Sequence, residues 1–167
     1  MSRLPEPPGA VSGRPNCRDS DAVDMEAVLL IGIQGSGKST FYRERFFDTH
    51  VRINLDMLRT RSREKILLQA CLAARQPFVV DNTNVRAAER KVYIEAAKAA
   101  GFKVVGYYFV PDAGGALRRN RARQGRKAVP VPGVLGTLKR LEPPLPEEGF
   151  DELYEVEIGA DGFVVSP

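Results

Sequence analysis

The feature that most constrains this chain is Gly32-Ile33-Gln34-Gly35-Ser36-Gly37-Lys38-Ser39-Thr40, set directly behind the apolar run Ala27-Val28-Leu29-Leu30-Ile31. The stretch satisfies the pattern G-x-x-x-x-G-K-[ST]. A strand without a polar residue suits a central position in a parallel sheet, where both faces are covered. The glycines let the backbone turn its N–H groups inward around a phosphate with no Cβ in the way. The helix expected from about Ser39 to Phe47 points its positive end at the same anion. In this pattern Lys38 places a point charge at the β- and γ-phosphates, and the Ser39 hydroxyl is suited to ligate Mg²⁺. Gly32, Gln34, Gly35, Ser36, Gly37, Lys38, Ser39 and Thr40 are therefore the candidate nucleotide-binding residues.

Strand and helix signals alternate through the rest of the chain. Residues 1–24, with four prolines, two glycines and no periodicity, read as a flexible tail, leaving 25–167 as one domain. Short strands are expected at Val51–Asn54, Phe78–Asp81, Val104–Val110 and Glu152–Ile158. Helices are expected at Asp56–Arg75, at Arg86–Ala100 with Gly101 closing it, and at Asp112–Arg123. Prolines at 130, 132, 143, 144 and 146 restrict the C-terminal part of the chain to short elements. Such alternation implies an α/β three-layer sandwich, a parallel sheet with helices on both faces.

Composition narrows the chemistry. The chain has 167 residues and a net charge of +4. Between Ala113 and Leu141 there are eight basic residues and no acidic one, so the remainder is net negative. That block reads as a solvated face or as a surface turned toward phosphate. Cys17 and Cys71 are too far apart for a paired metal motif, and Cys71 reads as a small core residue. His50 is the only imidazole, which argues against a histidine-based triad. No apolar run is long enough to span a bilayer and no signal-like segment opens the chain, so a cytoplasmic domain without a membrane partner is expected. No protein partner can be inferred.

Five further positions are candidates for chemistry. Asp81 ends an apolar strand, and such strand ends project into the ligand crevice of open parallel sheets. A carboxylate there suits Mg²⁺ beside Ser39, and a turn role in Asp81-Asn82-Thr83-Asn84 is the competing reading. Asp56 stands at a helix start with Arg59 three residues on. It is placed to take a proton from an attacking hydroxyl while Arg59 holds an anionic acceptor, and ordinary helix capping accounts for it equally well. Arg119 and Arg123 lie i,i+4 on a helix and share a face, which suits either neutralisation of a transferring phosphoryl group or a solvated basic surface.

In combination, these residues resemble the kinase domain of the polynucleotide 5′-hydroxyl kinases of the phage and eukaryotic end-repair type. The likeness runs from about Val28 to Phe150. It comprises the Gly-Ser-Gly-Lys-Ser-Thr loop, Ile53-Asn54-x-Asp56-x-x-Arg59, Asp81-Asn82-Thr83-Asn84, Arg119-Asn120-x-x-Arg123 and Glu148-Gly149-Phe150. It implies a P-loop NTPase fold with an arginine-bearing helical lid, and transfer of the ATP γ-phosphate to a hydroxyl with Mg²⁺. Lys38, Asp56, Arg119 and Arg123 would then be catalytic, with Asp56 the base. Arg59, Asp81 and Asn84 would face the acceptor, Asp81 alternatively serving the metal with Ser39. The implied partners are a nucleotide donor and the 5′ end of RNA or DNA. No DxDxT phosphatase motif is present. The stretch from Asp56 to Asp81 is nearer in length to the eukaryotic enzymes than to the phage one, which leaves acceptor identity open. A small-molecule kinase for sugars, nucleosides or antibiotics is the alternative, and an ATP-binding switch that transfers nothing is the reading from another class.

Overall fold

The computed structural model describes residues 25–123 and 128–167. The expected tail, with Cys17, and Arg126 and Lys127 of the basic block lie outside the described residues. Six strands form one sheet in the order β2-β3-β1-β4-β5-β6. They are β1 (Glu26–Ile31), β2 (Val51–Ile53), β3 (Phe78–Val80), β4 (Lys103–Phe109), β5 (Glu152–Gly159) and β6 (Gly162–Ser166). The first five run parallel, and β6 turns back antiparallel on β5.

The three layers follow from strand alternation. Ala27, Leu29 and Ile31 of β1, with Phe78 and Val80 of β3, pack under α3 (Arg61–Ala74) and α4 (Ala87–Ala99). Val28, Leu30 and Val79 point the other way, onto Phe41, Tyr42 and Phe46 of and just beyond α1 (Lys38–Arg45). Burial on both sides explains why β1 carries no polar residue between Ala27 and Ile31. The arrangement is the α/β three-layer fold expected from the sequence. No helix among the described residues is long and apolar enough to cross a membrane.

Three local expectations are corrected. The helix expected over Asp56–Arg75 is broken into α2 (Leu55–Leu58) and α3, because Arg59 takes a left-handed backbone (φ 73°) and Thr60 caps α3 by accepting from the Arg63 N–H. The proline-rich region holds a ten-residue helix, α6 (Val131–Arg140). Pro130 precedes it and Pro132 sits in its first turn, where a missing N–H leaves no intrahelical bond unmade. β6 has no counterpart among the expected strands; its five residues close the sheet as an edge strand. The lid consists of α5 (Ala113–Arg121) and α6, joined at their base by Asn120, which exchanges two hydrogen bonds with the Val129 backbone at 2.6 and 3.0 Å.

Candidate active site

The chain leaves β1 for β2 and β3 on one side and returns to β4 on the other, so the end of β1 borders a topological switch point. There the Gly32 N–H donates to Thr83 O at 3.0 Å, tying the glycine loop to the loop after β3. Gly35 and Gly37 have φ of 79° and 98°, which side-chain-bearing residues adopt only with strain. A Cβ on Gly35 would also lie 2.6 Å from Ala116 O of the lid. The cradle is thus packed against α5 from behind.

Lys38 opens α1 and is buried, its ammonium donating to Gly32 O at 2.8 Å and Ile33 O at 2.7 Å. Burial lowers its pKa to about 8. The Asp81 carboxylate works against that shift, Arg123 adds to it, and Asp56 again opposes it. These three residues therefore share one electrostatic neighbourhood with the lysine.

Asp81, buried just past β3, accepts a hydrogen bond from Ser39 Oγ at 3.0 Å. A hydroxyl and a buried carboxylate at this separation are hard oxygen donors of the kind Mg²⁺ takes when phosphates and water complete its shell. Among the described residues no group of three or more His, Cys, Asp or Glu side chains forms a metal cage of its own. The pair fits a nucleotide-borne magnesium ion and not a dedicated structural site.

Asp56 lies in the first turn of α2 and is not its cap. Asn54 Oδ1 accepts from the Met57 N–H at 3.0 Å, and Asn82 Oδ1 accepts from the Leu55 N–H at 2.9 Å. With the helix end satisfied by two asparagines, the Asp56 carboxylate is exposed to a cavity of about 890 Å³. The same cavity is lined by Gln34 through Ser39, Asp81, Asn84 and Arg123. Within the loop, Gln34 Oε1 is buried with no hydrogen-bond partner among the described residues.

Other expected residues fall elsewhere. Arg59 and Thr40 are exposed and do not line this cavity. Arg119 and Arg123 are split. Arg123 reaches the main cavity, whereas Arg119 Nε donates to Gly35 O at 2.7 Å and borders a second cavity of about 240 Å³ beside Pro111 and Ile158. Asn84, at φ 49°, borders the main cavity, but its amide donates to Leu30 O at 2.7 Å and so pins the end of β1.

The far wall of the cavity comes from residues that no motif marks. Glu64, 4% exposed, accepts from Asn82 Nδ2 at 2.7 Å, Tyr93 OH at 2.8 Å and Arg61 Nη1 at 2.8 Å. Burial, together with the Glu64 carboxylate it bonds, pushes the Tyr93 hydroxyl up to about 12, so it remains a donor. Arg52 on β2 is a further residue absent from the expected set: its Nε donates to Asp81 Oδ2 at 2.9 Å and its Nη2 to Ser39 Oγ at 3.0 Å. Nothing local distinguishes these positions, since charged residues in α3 and β2 read as solvated until tertiary packing brings their partners up.

Known proteins share part of this sequence and its fold. A family model described as an AAA domain matches residues 64–144, just under half of the chain. The bifunctional polynucleotide phosphatase/kinase of Schizosaccharomyces pombe is 29% identical over 137 residues, covering 79% of this chain. The chain spans about a third of the length of that relative, 33%. The Pnkp1/Rnl/Hen1 RNA repair complex contains a chain with a TM-score of 0.58 at 23% identity, over 70% of this chain and 43% of that one. A gluconokinase from Sinorhizobium meliloti 1021 gives 0.56 at 20% identity, over 80% and 83%. The fold is that of P-loop kinases.

Proposed function

We propose that this chain transfers the γ-phosphate of ATP to a hydroxyl, and that the acceptor is the 5′-hydroxyl of a polynucleotide. One observation carries the reading: the glycine cradle with Lys38 and the uncommitted carboxylate of Asp56 open onto the same cavity. A switch that binds nucleotide without transferring it needs no such carboxylate. The polynucleotide acceptor rests on the ordered motif set and on the likeness to the Schizosaccharomyces pombe phosphatase/kinase.

Ser39 and Asp81 would hold Mg²⁺, which when bound neutralises charge on the phosphate oxygens. Loop N–H groups and Lys38 fix the phosphates, and Arg119 braces the loop through Gly35 O while Arg123 faces the cavity from the lid. The acceptor oxygen attacks the γ-phosphorus, the bond to the β-phosphate oxygen breaks, ADP leaves and the hydroxyl proton passes to Asp56. Positioning and charge neutralisation supply the rate, as phosphoryl transfer needs little covalent work from protein. Arg61, Lys65 and Arg86 give the cavity's acceptor side three cations for the phosphates that follow a 5′-terminal nucleoside, with exposed Arg59 available beyond the mouth.

Incubation with γ-labelled ATP and Mg²⁺ against 5′-hydroxyl RNA and DNA oligonucleotides, nucleosides and sugars tests the reading. Label at oligonucleotide 5′ ends is the expected result. Label on a sugar or nucleoside alone would replace the acceptor, and no transfer to any of them would remove the activity.

A further inference from the structure

Asp81 Oδ2 accepts three hydrogen bonds at once, from Ser39 Oγ, Arg52 Nε and Arg52 Nη2. Arg52 Nη2 bonds Ser39 Oγ as well, so one guanidinium spans both oxygens assigned above to Mg²⁺. Mg²⁺ bonds its ligands at about 2.0–2.1 Å and demands a near-octahedral shell. It cannot enter between two oxygens already bridged by a positive charge. We propose that Arg52 is a resident counter-cation, a positioning residue that a divalent ion must displace from Asp81 before the site is competent. This rests on the reading of Ser39 and Asp81 as the metal pair.

The surroundings supply both the reason for the arginine and its way out. Asp81 is 3% exposed, and a buried carboxylate without a partner is costly, so the protein gains from a built-in cation when no metal ion is bound. Arg52 itself is only half-buried, with its Cζ 5.5 Å from the centroid of the Tyr42 ring. A guanidinium leaving Asp81 therefore has an aromatic face beside it. The result is a threshold against bare metal ions that Arg52 adds to the one already set by so small a ligand pair.

Manganese titration of the protein without nucleotide, read from the EPR signal of free Mn²⁺, tests the proposal without any turnover. Arg52→Met and Arg52→Gln should each bind Mn²⁺ about tenfold more tightly than the native protein, the scale of losing a charge-assisted competitor. Asp81→Asn should abolish this binding in either background. A folding defect in both Arg52 variants is met by a measurement on the native protein: the Arg52 Nε–H resonance should be protected from water exchange alone and lose that protection with saturating Mg²⁺ and ADP. Unchanged Mn²⁺ affinity in the Arg52 variants, with Asp81→Asn still weakening it, would overturn the counter-cation and leave the metal pair standing. Mn²⁺ binding indifferent to Asp81→Asn would overturn both. An Arg52 resonance equally protected in the loaded protein would overturn the displacement.

Discussion

The two sides of the cavity are built on different principles. The donor side is mostly backbone: a loop of glycines, the first turn of α1 and the end of β3, with Lys38 bonded to carbonyls only five and six residues away. The acceptor side is a side-chain network in which α3, α4 and the loop after β3 meet at Glu64, with partners 18 and 29 residues distant in sequence. The first kind of site is specified by residue types at fixed spacing. The second exists only once the chain has folded, and its Glu64, Asn82 and Tyr93 groups are spent on one another. Asp56 stands between the two, its carboxylate bonded to neither.

The largest expected effect tests that division. Asp56→Ala should lower kcat by about 10²–10⁴-fold, the range for a positioned general base, with ATP affinity by calorimetry retained. Lys38→Ala should lose transfer together with ATP affinity. An Asp56→Ala protein of native activity would move the base elsewhere and dissolve the contrast between a chemical carboxylate and the structural one at Glu64.

Glu64 provides the converse. Glu64→Ala takes the acceptor from the buried Tyr93 O–H and leaves the Asn82 amide only its longer bond to Tyr93 OH at 3.3 Å, and should lower unfolding free energy by about 2 kcal/mol in denaturant titration. Asp56→Ala, exposed and without hydrogen-bond partners among the described residues, should cost less than about 0.5 kcal/mol. If the two variants lose equal stability, Asp56 has a structural role after all.

The pH dependence sharpens the donor side. Burial holds Lys38 at about 8, so its ammonium is present below that pH and lost above it. Nucleotide affinity should begin to fall above about pH 8, approaching about tenfold per pH unit, with proton uptake on binding visible in buffers of different ionisation enthalpy. Stability should move the opposite way. Between about 8 and the ordinary lysine value of 10.5, the unfolded chain binds the extra proton, so unfolding free energy contributed by this group rises with pH.

The same contrast decides what is legible in the sequence. Order and type of the first five strands, the cradle and the position of Asp81 come from apolar runs and glycine spacing, which are local. Arg52 escapes such a reading because an arginine in Val51-Arg52-Ile53 looks like the solvent face of an edge strand. Its partners are 13 and 29 residues away. Glu64 sits in Arg61-Ser62-Arg63-Glu64-Lys65, where every neighbour is exposed and only the fold buries one of five. Spacing puts Arg119 and Arg123 on one helix face, but α5 ends at Arg121 with Ala122 as its C-cap, so Arg123 lies beyond the helix and the two arginines border different cavities.

The smallest effect concerns the break between α2 and α3. Arg59 holds φ at 73°, a conformation that costs a side-chain-bearing residue but not glycine. Arg59→Gly should therefore raise unfolding free energy by about 0.5–1 kcal/mol. Because Arg59 is exposed and lies outside the cavity lining, its loss should raise the KM for an oligonucleotide by no more than about threefold, and only at low salt, where surface charges act over their full range. A larger rise that persists at high salt would place Arg59 directly on an acceptor phosphate. The strained backbone would then be what aims it there, and the acceptor side would carry binding chemistry beyond the cavity that Glu64 shapes.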